Sequence, residues 1–417
     1  MDNKFFSILI ILLITTINLI TSAIYDEDLF RRIDEFITSR GFINENHTVT
    51  TKDEYKLSVN RMINPFAGLA LGVNRLEPVL LVHGVLGSGI IWLYNEPNGR
   101  VRPWPQNNHR PNVTDNSLGF LLSNNGFDVW IISVRGTSYS RSHVHLDPDK
   151  DQSYWDFTFT NVAEYDIPAT IDYILKFTKK ERLTYIGYSQ GSTFMFTLLS
   201  MEPKYMDKLN LFIAIAPAAY LNEVGGVPSI MPADYGIYHN IGLVNCEYKF
   251  YSQMRPISLM CHLPLFKSMC LLIEASTDNP TNYNQSRVPI YINNYDSTSC
   301  KTIVHGFQLI TSGEFQHFNY SLEQNLIKYN SIEPPKIDLS KISGDKIIII
   351  SSTGDEASTP NEVDKLKKSI KSKPYKHFLI DDKNWSHFSF VKSPTFYSTI
   401  GQHIVRFIDD ALDSNRN

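Results

Sequence analysis

The run Leu183-Thr184-Tyr185-Ile186-Gly187-Tyr188-Ser189-Gln190-Gly191 is a β-prone stretch that stops at a serine held between two glycines. G-x-S-x-G between a strand and a helix is a nucleophile elbow. A serine at the tip of so tight a turn has a strained backbone, and side chains two positions either side would collide. Glycine is therefore needed at Gly187 and Gly191. The following residues, Ser192 to Leu199, are small first and then apolar, as in a helix packed under a sheet. Upstream, Tyr165 to Phe177 reads as an amphipathic helix, so helix, strand, elbow and helix follow in the required order.

A serine hydroxyl is a poor nucleophile at neutral pH and needs a base, which in turn needs an orienting acid. His387 follows Asp381-Asp382-Lys383-Asn384-Trp385-Ser386, a loop just past a predicted strand, and is the base candidate. His377 opens the predicted strand His377–Ile380, and His403 lies in a predicted terminal helix, Thr395–Leu412. For the acid, Lys346-Ile347-Ile348-Ile349-Ile350 reads as a buried parallel strand that runs into Ser351-Ser352-Thr353-Gly354-Asp355. Asp355 then stands at a strand's carboxyl end, where α/β sheets bind ligands, with Glu356 the runner-up. Val79–His83 is an early buried strand leading into Gly84-Val85-Leu86-Gly87. A turn there supplies one oxyanion N–H and the residue after the nucleophile the other, which assigns Val85 and Gln190. His83 is expected to pack and hydrogen-bond rather than act as a second base. The order Ser, acid, His is that of α/β-hydrolases.

The chain resembles the acid lipases, the group of gastric lipase and lysosomal acid lipase, from about Tyr55 to the C-terminal helix. The likeness rests on specific blocks. They are His83-Gly84-Val85-Leu86 with Trp92, Asp128-Val129-Trp130 leading to Arg135-Gly136-Thr137, Glu164 to Ile174, the elbow with Gln190, and Ala214-Ile215-Ala216-Pro217. The resemblance implies catalytic roles for Ser189, Asp355 and His387 and oxyanion roles for Val85 and Gln190. It also implies a cap disulfide between Cys261 and Cys270, and an acid pH optimum. Cys246 and Cys300 either pair or stay free. Two positions depart from the family: Tyr188 where histidine is frequent, and His387-Phe388-Ser389-Phe390 where H-L-D-F is frequent. The Pro-, Asn- and Arg-rich segment Asn95–Asn116 is longer than usual and reads as a surface insertion, with the rim of the site as the alternative.

The elements around these residues give the organisation. With 417 residues, 42% hydrophobic and 20% charged, the chain is long enough for one large core and an insert. A net charge of −4 gives no sign of a nucleic-acid partner. Lys365–Lys376, with Leu366 and Ile370 at helical spacing, reads as the wet face of an amphipathic helix. Strands are expected near Tyr55–Met62, Val79–His83, Phe127–Val134, Thr184–Gly187 and Leu211–Ala216. The regular alternation lapses from about Tyr220 to Pro335, where all four cysteines lie, and resumes at Lys346. The expected architecture is thus an α/β-hydrolase with an inserted cap: residues 1–23 a signal peptide, 24–219 and 335–417 the two parts of the core, 220–334 the cap.

Lys4, the apolar run Phe5–Ile20 and Thr21-Ser22-Ala23 form a secretory signal pattern, with an uncleaved anchor as the alternative. Sequons at Asn46, Asn112, Asn284 and Asn319 are expected to carry glycans. A fifth, at Asn384, is expected to stay unmodified because it lies beside the proposed base. The expected location is the secretory pathway, lysosomal or secreted. No spacing calls for a metal, and the mechanism needs no cofactor. The reading that follows is a lipase acting on neutral lipid esters at a lipid–water interface. The rivals are an esterase or thioesterase on the same fold, and a non-catalytic lipid-binding protein, which would be expected to show a damaged triad.

Overall fold

The computed structural model describes residues 26–105, 110–224, 246–248, 250–261, 265–277 and 282–414. The expected signal segment and residues 225–245 of the expected cap lie outside these ranges.

Strands β1 (Ile43–Thr50), β2 (Lys56–Ile63), β3 (Pro78–Val82), β4 (Asp128–Ser133), β5 (Leu183–Tyr188) and β6 (Leu209–Ile215) belong to one eight-stranded sheet. A separate antiparallel pair, β7 (Glu247–Tyr248) and β8 (Thr298–Ser299), lies outside it. The main sheet is completed by β9 (Ile347–Ser352) and β10 (Lys376–Ile380), in the order β1-β2-β4-β3-β5-β6-β9-β10. The β1–β2 and β2–β4 pairs are antiparallel; every other pair is parallel.

Strands β3, β4, β5, β6 and β9 are buried at every position, as the apolar runs Val79–Val82 and Ile347–Ile350 predict for parallel strands covered on both faces. Their alternate residues feed two cores. Val79 and Leu81 face α1 (Leu118–Asn124) on one side, while Leu80 and Val82 face α2 (Ile167–Thr178) and α3 (Gln190–Met201) on the other. Between β7 and β9 come α4 (Phe250–Met260), α5 (Lys267–Thr277), α6 (Val288–Asn293) and α7 (Cys300–Ser312). This stretch is anchored in both cores: Ile290, Tyr291 and Ile292 pack in the first, and Leu309 and Phe315 in the second. Helices α8 (Pro360–Ser369) and α9 (Gln402–Ser414) complete the chain.

Some boundaries differ from expectation. The early strand stops at Val82, which leaves His83 as the first residue of the turn. The basic run 365–376 is not one helix. Thr359 caps the Glu362 N–H, Pro360 opens α8, and the chain is extended again at Ile370. The segment after Asn95 does not rim the site from Arg100 to Trp104. There it runs below the N-terminal end of β4, where Asn124 bonds the Arg100 carbonyl and the Arg102 N–H and Trp104 packs on Gly126.

All four cysteines are paired, Cys246 with Cys300 and Cys261 with Cys270, with Cα–Cα distances of 5.4 and 5.7 Å. Disulfides of this kind persist in oxidising compartments. Peptide mapping without reduction should recover both linked pairs; alkylation of any of the four as a free thiol would contradict the pairing.

Candidate active site

Ser189 stands between β5 and α3 with φ 53° and ψ −119°. Its N–H donates to the Ile215 carbonyl at 2.8 Å, which ties the elbow to the end of β6. The flanking glycines are steric necessities. A Cβ on Gly187 would lie 2.6 Å from the Gly191 backbone, and one on Gly191 would lie 2.3 Å from the Val82 carbonyl oxygen. Ser192 Oγ donates to the Gly187 carbonyl and Tyr185 Oη to that of Gly191, both at 2.7 Å.

The acid and base loops leave β9 and β10, which lie on the far side of β6 from β5. Asp355 is 3% exposed, and its Oδ1 accepts the N–H groups of Ala357 at 2.9 Å and Ser358 at 2.8 Å. Gly354 lets the two loops touch, because a Cβ there would sit 2.4 Å from the Lys383 carbonyl oxygen. Ser352 Oγ donates to the Trp385 carbonyl and locks the second loop onto the first. His387 Nδ1 is 3.0 Å from both carboxylate oxygens of Asp355, and its Nε2 is 2.9 Å from Ser189 Oγ. The carboxylate assigns the ring proton to Nδ1, leaving Nε2 to accept the serine hydroxyl. Tyr188, the departure noted before the serine, donates through Oη to the His387 carbonyl at 3.0 Å and so steadies the base loop.

Gly84 lies against the elbow: a Cβ there would be 3.0 Å from that of Ser189. The N–H groups of Val85 and Gln190 have no acceptor among the described residues. His83 accepts the Val134 N–H on Nε2 at 3.1 Å, and its Nδ1 donates to the Gly84 carbonyl at 2.8 Å. Burial pushes its pKa down to about 4, so it is a neutral packing residue. His377 is instead on β10, bonded to Ser351 Oγ, and His403 stacks against Phe407 on α9. Arg135, in one of the blocks quoted above, is 1% exposed and clamps Asp53 and Asp166.

Two features near the site carried no sequence signal. Asp296, between α6 and α7, bonds the turn that holds Val85. Lys392, five residues after His387, is 1% exposed, and its Nζ donates to Glu274 of α5 at 2.7 Å and to Tyr295 Oη at 3.2 Å. The rings of Phe388, Tyr283, Tyr291 and Tyr295 surround it at 4.2 to 5.2 Å. Burial is the largest single influence and disfavours its charge, but Glu274 and the surrounding tyrosines together outweigh it and hold its pKa above the usual lysine value.

A family model described as a partial alpha/beta-hydrolase lipase region matches residues 33–96, and one of the alpha/beta hydrolase fold matches residues 77–223. Gastric triacylglycerol lipase of Bos taurus is 31% identical over 375 residues, covering 86% of this chain and 86% of that protein. The chain belongs to the acid lipase family of α/β-hydrolases. Lipase 1 of Drosophila melanogaster is 30% identical over 375 residues, covering 88% of this lipase and 76% of the fly protein. Lipase member K of Homo sapiens is 29% identical over 395 residues and 92% of each chain. An esterase from Exiguobacterium antarcticum superposes with a TM-score of 0.48 at 13% identity, covering 88% of this lipase and all of that chain, a likeness too loose to add to the sheet order. The lipase is a carboxylic ester hydrolase. Among its described residues no helix is long and apolar enough to cross a membrane.

Proposed function

We propose that this lipase hydrolyses carboxylic esters of neutral lipids, triacylglycerol or sterol ester, through an acyl-enzyme on Ser189. One observation carries the reading: the unbroken line from Asp355 through His387 to Ser189 Oγ at 3.0 and 2.9 Å, on a strained elbow beside two unclaimed N–H groups. Ser189 Oγ attacks the ester carbonyl while His387 Nε2 takes its proton. Asp355 orients the ring and stabilises the imidazolium. The Val85 and Gln190 N–H groups bind the tetrahedral oxyanion. His387 then protonates the departing alcohol, activates water, and the acyl-enzyme is cleaved. The gastric triacylglycerol lipase likeness supports the lipid substrate.

The enzyme works in the secretory pathway, lysosomal or secreted, a reading supported by its disulfides and its sequons. Asn46 and Asn112 are exposed; Asn284 and Asn319 are half-buried, and the Asn284 amide donates to the Asn95 carbonyl. Asn384 is exposed three residues before His387.

The test is a panel of long-chain triacylglycerol, sterol ester, short ester and peptide, run with fluorophosphonate labelling of Ser189. Turnover of long-chain lipid esters with loss of activity on labelling is expected. Peptide or short-ester preference, or label on another residue, would refute the reading.

Ser189 is only 5% exposed, so an acyl chain needs an opening. Part of residues 220–334 covers the serine and moves at a lipid surface, giving the apolar inner face of a cap somewhere to go. Long-chain esters should be hydrolysed faster above their solubility limit than below it. Proteolysis within 220–334 should respond to micelles or to a covalent lipid-like inhibitor. Equal rates with unchanged cleavage would eliminate the moving cap and leave the triad standing.

A further inference from the structure

The turn that carries Val85 lacks regular structure from His83 to Ser88. Leu86 within it has φ 54°, a conformation that side chains other than glycine rarely adopt. Gly84 is already in contact distance of Ser189, so a small displacement of this turn moves the Val85 N–H relative to the nucleophile. Something outside the turn has to hold it.

Asp296 makes that connection. Its N–H donates to the Leu86 carbonyl at 2.7 Å. Its carboxylate, 3% exposed, accepts the Ser138 N–H at 2.7 Å, the Ser138 hydroxyl at 2.9 Å and the Ser297 N–H at 2.7 Å. The hydroxyl of Ser88, at the end of the same turn, favours the charged form of this carboxylate. Ser297 Oγ adds a bond to the Gly136 carbonyl at 2.7 Å. One residue thus ties together the loops after β3 and β4 and the link between α6 and α7.

We propose that Asp296 is a positioning residue for the oxyanion hole: anchored on Ser138, it fixes Leu86 and thereby aims the Val85 N–H at the ester's carbonyl oxygen. The inference rests on the reading of Ser189 as nucleophile and of Val85 and Gln190 as oxyanion donors. The geometry also says which substitution is tolerable. Asparagine keeps an oxygen to accept the two backbone N–H groups on Oδ1, and its amide can donate to the Ser138 hydroxyl, which is free to reverse its role. Alanine keeps only the backbone bond to Leu86.

The experiment compares wild type, Asp296→Asn and Asp296→Ala on p-nitrophenyl butyrate and on its thionoester. Rates are normalised to sites titrated to completion with a phosphonate, and melting temperature is recorded for each protein. A carbonyl sulfur is a weak hydrogen-bond acceptor, so catalysis that depends on the hole appears as a preference for oxygen over sulfur. Asp296→Ala is expected to lose about tenfold or more in kcat on the oxygen ester, part of what loss of a whole oxyanion donor costs. Its KM should stay within about twofold and its oxygen preference should shrink in step with kcat. Asp296→Asn should recover both. Should Asp296→Ala fail to fold, Ser138→Ala, which removes the hydroxyl bonded to the Asp296 carboxylate, carries the test and must show a reduced oxygen preference. An unchanged preference in the alanine variant, or no rescue by asparagine, overturns the proposal while leaving the oxyanion reading intact. A wild-type enzyme without oxygen preference overturns the oxyanion reading, and this proposal with it; failure of the phosphonate to label Ser189 overturns the nucleophile.

Discussion

Ser189→Ala is expected to lower kcat on any ester substrate by at least about 10⁴-fold, the scale on which triad serines fail when replaced. The substitution deletes the attacking atom and leaves the elbow's supports in place. The Ser189 N–H still reaches the Ile215 carbonyl, and both glycines keep their clearances. Only the hydroxyl's bond to His387 Nε2 is lost, so stability should change by about 1 kcal/mol at most. A variant that melts with wild type and retains more than a few per cent of turnover would remove Ser189 from the mechanism. His387→Ala should be comparably damaging. His377→Ala and His403→Ala should not, since His377 is engaged with Ser351 and Lys367 and His403 with the rings of Phe378 and Phe407.

The second large effect is on stability. Lys392→Met removes one partner of a pair whose members are 1% and 0% exposed, and leaves the Glu274 carboxylate in an aromatic enclosure. Breaking a buried pair from one side costs about 3–5 kcal/mol, because the surviving charge stays desolvated. Glu274→Leu should cost a similar amount by stranding the lysine. The double variant should recover most of the loss, since apolar replacement of a whole buried pair is often near neutral. Thermal melting of the four proteins checks this. Single variants as stable as wild type would show that the pair contributes little, and a double variant destabilised by the sum of the two singles would show that the side chains act independently. Activity should follow stability here, because Lys392 belongs to the short helix Ser389–Lys392 that begins two residues after His387.

What the sequence revealed, and what it hid, follows from the range of the forces involved. The elbow is legible because its requirement is local: two backbones pass within 3 Å of where a Cβ at Gly187 or Gly191 would stand, and only glycine satisfies that. The central strands are legible because burial on both faces demands an unbroken apolar run. Strand β1 is not, since Ile43–Thr50 is an edge strand with one buried position, and its polar alternation looks like a loop. The end of α8 at Ser369 is hidden in the sequence because Leu366 and Ile370 are both buried at helical spacing, although the chain has already left the helix at Ile370. Its start is legible, since Thr359-Pro360 is a cap followed by a first-turn proline. Asp296 and the Lys392–Glu274 pair lie at separations that no local pattern spans: Asp296 meets Ser138 across 158 residues and Lys392 meets Glu274 across 118.

The Cys246–Cys300 bond joins residues 54 apart, and the Cys261–Cys270 bond lies inside the interval it closes. The stretch is therefore a covalent ring with a smaller ring nested in it. It contains Glu274, which meets the histidine loop, and Asp296, which meets the turn before the elbow. A single backbone cut anywhere between Cys246 and Cys300 leaves every fragment attached to the molecule. A protein-degrading environment can thus nick this region once without releasing a piece or detaching either contact from the chain. Such a nicked enzyme migrates as one intact polypeptide until reductant is added.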